Sequence, residues 1–402
     1  MLRFKKDDGT DFPDWEGKSV GDITIELKEY EQLNSGYPLM TSSRIGLMMQ
    51  EDFRTKSSTE DDTAIFSVVP RGVATYRHMS DDNIFHFNIN NLVDKGLVSK
   101  EYPVFNTVNG NSLYLLVEYL NSSKKFLNFC KAQKKGGTRT RLYFKVLKEF
   151  KFNVPSLPEQ QKIADFLSTI DTVIEKQKAT VEAWEERKKG VMQKLFSQEV
   201  RFKADDGSEF PEWEEKKLGD ISERILVGLA TTVTPYYREK GRPMFRNLNI
   251  KQGYLDDRDM LFLDDDYADS QKNKAIHFGD ILTVHTGNIG WSCLVPEKYE
   301  GALSFTTLIT TVKFNVVSNK YVCDFLNSPL GMNRMQNLAF SGGRANLNTS
   351  EFQKVQVPHP CLAEQRKIAD CLSSFDEVIE KQKATLAAWE ELKKGLLQQM
   401  FV

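Results

Sequence analysis

The sequence predicts an α+β chain: two globular domains separated by a pair of long antiparallel coiled-coil helices, as a pseudo-two-fold internal repeat. Two repeated segments and the strand-and-helix mixture between them carry that expectation. Residues 3–23 and 201–221 are identical at 14 of 21 positions, and residues 158–196 and 363–401 at 26 of 39. Self-similarity of this kind marks one structural unit written twice. Between the repeats, residues 24–150 and 222–355 share almost nothing beyond a Gly-Gly pair at 136–137 and 342–343.

The first repeat, RFKKDDGTDFPDWEGKSVGDI and its twin, heads each globular stretch, with Trp15 and Trp213 as candidate core anchors. Strand-like runs follow at 64–69 and 85–89, then at 279–285 and 308–314, bounded by Gly, Asn and Asp turns. Residues 111–131 and 319–338 read as helices. The second repeat is a helix with alternating spacings of four and three, the seam of a coiled coil. Its seam is Ile163, Leu167, Ile170, Ile174, Gln177, Val181, Trp184, Lys188, Val191 and Leu195. The twin is Ile368, Leu372, Phe375, Ile379, Gln382, Leu386, Trp389, Lys393, Leu396 and Met400.

Prolines precede each long helix, and Glu159 and Glu364 place acids in its first turn, favourable against the helix dipole. At 1.5 Å per residue each is a rod of roughly 55 to 60 Å that cannot stand alone with its stripe in water. The two seams are therefore expected to pack on each other, antiparallel, with the C-terminus returning beside the N-terminus and the globular domains at opposite ends. The expected division is 1–152, 153–200, 201–355 and 356–402.

Lys and Arg number 54 against 56 Asp and Glu, so nucleic-acid binding would need a local basic face. The longest apolar run, 113–120, is interrupted by Glu118 and is far too short to span a membrane. The N-terminal residues lack the pattern of a secretory signal. Five cysteines without a CxxC pair fit a reducing cytoplasm and suggest neither disulfides nor zinc. There is no HExxH, no phosphate-binding GxxxxGK[ST] and no glycine-rich cofactor loop, so no catalytic residue, metal or cofactor is expected. The letters of a nuclease motif occur at 13–18, but their one-residue spacing does not converge two carboxylates on a metal.

The missing basic face is concentrated at 122–151, with ten basic residues against one acid. Lys134, Lys135, Arg139 and Arg141 flank the Gly136-Gly137 turn, and Thr138 and Tyr143 can donate hydrogen bonds. Arg71 and Arg77 are further candidates in the same domain. In the second domain Arg344 and Asn346 follow a Gly-Gly turn, and Arg246, Asn247 and Asn249, with His285, Thr286 and Asn288, form polar loops at strand ends. Arg and Asn pair bidentately with guanine and adenine edges, while lysines suit phosphates.

The order of a variable domain, a PEQQKIADFLSTIDTVIEKQK helix, a second variable domain and an AEQRKIADCLSSFDEVIEKQK helix resembles the DNA specificity subunit of Type I restriction-modification systems over the whole chain. The resemblance implies two target recognition domains, each reading half of a split, asymmetric double-stranded DNA site. It also implies a non-catalytic chain that docks methyltransferase subunits, two of them, and through these restriction subunits. Docking is expected on helix faces away from the seam, including Lys162, Asp165, Glu175, Lys176 and Arg187 and the twins Lys367, Asp370, Glu380 and Lys381. The rival expectation is a coiled-coil scaffold that binds proteins and does not recognise DNA.

Overall fold

The computed structural model describes residues 2–53, 63–134, 136, 138–340 and 346–401; Lys135 and Arg344, both expected at DNA, lie outside them. The chain divides into two compact units, residues 1–178 with 384–402 and residues 179–383. The central helix runs Leu157–Phe196 and the C-terminal helix Leu362–Met400, so each unit holds a portion of both. No helix among the described residues is long and apolar enough to cross a membrane.

In the first unit, strand Glu16–Ser19 pairs antiparallel with Lys151–Val154, which stitches the start of the globular part to its end. Between them lies a four-stranded sheet in the order Thr24–Glu26, Val104–Thr107, Ala74–Tyr76, Phe87–Ile89. A three-stranded sheet, Lys95–Ser99, Ile65–Pro70, Tyr30–Gln32, accompanies it. The helix expected over 111–131 is two helices, Leu113–Ser122 and Lys124–Ala132. Ser123 takes extended backbone and accepts the Phe126 N–H with its hydroxyl, so it ends one helix and caps the next. An aromatic core that includes Tyr76, Phe87, Phe105, Phe126 and Phe150 fills the space between sheet and helices.

The second unit follows the same plan. Glu214–Lys217 pairs with Gln356–His359, and a four-stranded sheet runs Ser222–Val227, Thr307–Val312, Ile281–Val284, Ser292–Leu294. The helix expected over 319–338 is again divided, at Ser328, into Asn319–Asn327 and Pro329–Phe340. The variable regions therefore share strand order and a broken helix pair without sharing sequence. Core packing asks for apolar residues of fitting volume rather than particular ones, so likeness of fold outlasts likeness of sequence.

Within each unit the long helices pair antiparallel. In the first, Ile163 and Leu167 are buried with Leu397 and Met400, Asp171 meets Lys393 and Lys178 meets Glu390, so partner numbers fall as the central helix advances. In the second, Trp184 lies edge-on to Phe375, Lys188 pairs with Asp376, and Leu195 and Phe196 share a core with Ile368 and Leu372. Ile170, Ile174, Val181 and Ile379 are buried; Trp184, Phe375, Leu386 and Trp389 are half-buried.

The acids at the helix starts do more than offset a dipole. The buried Glu159 carboxylate accepts Arg3 Nε at 3.2 Å, Arg3 Nη2 at 2.9 Å and Trp15 Nε1 at 3.0 Å. Glu364 receives the same three donors from Arg201 and Trp213, at 3.1, 3.0 and 2.9 Å. The next residue ties the helix to its globular part. Gln160 Oε1 accepts the Ser112 N–H and Gln365 Oε1 accepts the Ser318 N–H, both at 2.9 Å. The Leu2 N–H donates to Gln399 O at 2.8 Å and Phe401 packs on Tyr119, so the two ends of the chain meet inside the first unit.

Candidate nucleic-acid interface

In the first unit the short strand Thr140–Arg141 pairs antiparallel with Met79–Ser80, and the Leu142 N–H donates to His78 O at 2.8 Å. This brings together two stretches that lie far apart in sequence. Arg77, Lys134, Thr138, Arg139, Arg141 and Tyr143 are all exposed. Helix Lys124–Ala132 buries Phe126 and Cys130 and leaves Lys124, Lys125 and Lys131 exposed, which adds to the basic surface of this unit. Arg139 Nε donates to Asp81 Oδ1 at 2.8 Å, and the Tyr143 ring stacks on His78 with centroids 5.4 Å apart.

Arg71, also expected at DNA, is exposed and bonded to its own loop: its Nε donates to Asp94 Oδ1, Nη1 to Asn91 O and Nη2 to Leu92 O.

Beside the 77–81 segment lies a polar cleft of about 520 Å³, lined among others by Ser42, Arg44, Arg77, His78, Asp81 and Glu101. Arg44 pairs with Asp82, whose carboxyl is held down to about 2 chiefly by that hydrogen bond. Burial lowers the imidazoles of His78 and His86 below their ordinary value, so both favour the neutral form. Sequence reasoning placed neither Arg44 nor His78 here; the signal available for His78 was its position next to the candidate Arg77.

In the second unit three separately expected stretches converge. Asn247 Nδ2 donates to Thr286 Oγ1 at 3.0 Å, His285 Nδ1 lies 2.9 Å from Asn346 Oδ1, and the Leu347 N–H donates to His285 O at 3.0 Å. Thr286, Asn288 and Asn346 are exposed, and Arg246, Asn247 and His285 are half-buried. Three buried atoms of this cluster, Arg246 Nε, Asn247 Oδ1 and His285 Nε2, have no hydrogen-bond partner among the described residues. Asn249, also expected at DNA, is buried; its Oδ1 accepts the Arg246 N–H and its Nδ2 donates to Asp256 O, so it builds the loop.

Two of the four expected docking lysines bond to the backbone of a globular part. Lys162 Nζ donates to Lys5 O at 2.8 Å and Lys367 Nζ to Lys203 O at 2.7 Å, and each pairs with an aspartate, Asp7 or Asp205. Both hold the loop at the head of a globular part.

The family described as Type I restriction modification DNA specificity domain matches residues 86–183 and 211–388. The Type I restriction enzyme MjaVIII specificity subunit of Methanocaldococcus jannaschii is 26% identical over 280 residues, 67% of this chain; the match spans 65% of that relative's length. The S subunit of a Type-I restriction-modification system from M. genitalium has a similar fold, with a TM-score of 0.53 and 14% identity over 100% of this chain and 98% of that one. A chain from a structure describing complex assembly and conformational transition of the type I R-M system gives 0.52 and 16%, covering 97% and 98%. The chain belongs to the Type I restriction modification DNA specificity family.

Proposed function

We propose that the chain reads double-stranded DNA at a bipartite, asymmetric site, residues 1–152 and 201–355 each taking one half and residues 153–200 and 356–402 forming the spacer. Methylation and cleavage are the work of partners: methyltransferase subunits, two per chain, dock directly and restriction subunits join through them. The chain itself needs no cofactor and works in the cytoplasm.

The observation that carries this reading is the loop cluster of the second unit. An unsatisfied buried polar atom costs about 1 to 3 kcal/mol, so three in one surface cluster without a partner among the described residues support hydrogen bonding to a ligand there. The groups are an arginine, an asparagine and a histidine beside an exposed Asn346, a set suited to base edges. In the first unit, the exposed lysines suit the phosphate backbone. The two units carry different reading groups, which makes the combined site asymmetric.

The test is DNA binding by the chain purified with its methyltransferase. Affinity for duplex DNA is expected to fall linearly with salt on logarithmic axes, by a slope of about 0.9 per phosphate neutralised. Asn346→Ala is expected to weaken the cognate site by about 1 to 3 kcal/mol and leave unrelated duplexes unchanged. Binding that is absent, or indifferent to salt, favours the protein scaffold instead.

A further inference from the structure

We infer that the cleft beside the 77–81 segment is the base-reading pocket of the first unit, and that Arg44, Arg77 and His78 determine which bases that half-site reads. The inference rests on the DNA-reading function proposed above and goes on to name the groups that do the reading.

Three features of the cleft point to base edges rather than to phosphate. First, its lining mixes donors and acceptors. Arg44 and Arg77 are exposed cations, while Asp81 and Glu101 are exposed carboxylates in the same wall. Carboxylates repel a phosphodiester but accept from the amino groups of cytosine and adenine. A phosphate site would place cations and amides there without acids.

Second, the arginines are set rather than free. Arg44 Nη2 is held by Asp82 Oδ1, and that same oxygen accepts the Ser80 hydroxyl at 2.9 Å and the Ile84 N–H at 3.2 Å. That bond anchors the Arg44 guanidinium at Nη2, and a planar guanidinium so anchored still has N–H groups to turn toward a guanine edge. Arg77 has no ion-pair partner among the described residues and lines the same space. Arg139, braced on Asp81, adjoins it.

Third, His78 is only 3% exposed, lines the cleft, and has an Nδ1 without a partner among the described residues. Its neighbours fix the ring: Tyr143 stacks on one side at 5.4 Å and Tyr102 meets it edge-on at 6.4 Å. The charged groups facing it are Glu101, Arg141 and Arg77. A rigid, buried imidazole with an unused nitrogen reads by a single directed hydrogen bond, which is a specificity device and not a source of general affinity.

Once the methylated motif is known, binding of the methyltransferase complex is compared on three duplexes: the full site and two in which one half-site is scrambled. For Arg77→Lys and Arg44→Gln, the preference for one half-site, the same for both variants, is expected to fall roughly 5- to 150-fold while preference for the other half is kept. Arg77→Lys preserves charge, so a phosphate contact predicts almost no effect and a bidentate base contact predicts the loss. The inference is overturned if Arg77→Lys keeps wild-type discrimination, or if Arg44→Gln weakens all three duplexes equally. A wild-type complex that prefers neither half-site overturns the proposed function as well, which separates the two failures. His78→Gln, which replaces the imidazole by an amide, is expected to shift preference at the same half-site only.

Discussion

Lys393→Ala is expected to destabilise the first unit by about 3 kcal/mol or somewhat more, read as a lower midpoint in denaturant unfolding. Lys393 occupies a seam position, yet its Nζ lies 3.0 Å from Glu118 Oε2 and 2.7 Å from Asp171 Oδ1. Removing the cation leaves two carboxylates facing each other with the Tyr114 hydroxyl on one of them. The variant's deficit has a definite pH dependence. Burial already raises the Glu118 carboxyl above its ordinary value although Lys393 pulls the other way, and losing the lysine raises it further. A raised carboxylate pKa means that the folded state binds the proton more tightly than the unfolded state. Protonation therefore relieves the deficit as pH falls from neutral toward the usual glutamate range near about 4.3. A deficit that grows on mild acidification contradicts this. The second unit has the equivalent arrangement, Lys188 on Asp376 with Lys320 bridging Asp376 and Asp324.

Glu364→Ala is expected to cost the second unit about 3 kcal/mol, because it strands a guanidinium and an indole N–H that share one buried carboxylate. Glu364→Gln keeps the volume and one acceptor oxygen and is expected to lose roughly half as much. Equal losses for the two substitutions would mean that packing, and not the charged hydrogen bonds, holds the N-terminus of the C-terminal helix. The internal repeat gives a control: Glu159→Ala makes the same change in the first unit and is expected to lower that unit's unfolding midpoint instead.

The doubled architecture was legible because its signal is local and repeated. A seam at three- and four-residue spacing declares a helix and its apolar side, and two copies declare a pair. The partners of Lys188 and Lys393 were not legible, since the spacing assigns these lysines to an apolar seam and only the antiparallel register brings Asp376 and Asp171 to them. Nor was the kinship of the variable regions, which survives as strand order and as the breaks at Ser123 and Ser328. The loops around Asn247, His285 and Asn346 were singled out because polar residues at strand ends stand out, and the structure brings them together. Arg71 and Asn249 have the same appearance in sequence. What separates them is a set of backbone partners, Asn91 O and Leu92 O for one and the Arg246 N–H and Asp256 O for the other, that only the folded loops provide. His78 escaped notice because a lone histidine between an arginine and a methionine carries no pattern; its burial and its stacked tyrosine give it meaning.

Two unlike readers on one chain make a claim that a single measurement addresses directly: modification-sensitive sequencing of DNA from cells that express the neighbouring methyltransferase with and without this chain. A split, asymmetric methylated motif that appears only when the chain is present is the predicted result. A motif that persists without the chain, or no motif although the proteins co-purify, would contradict it.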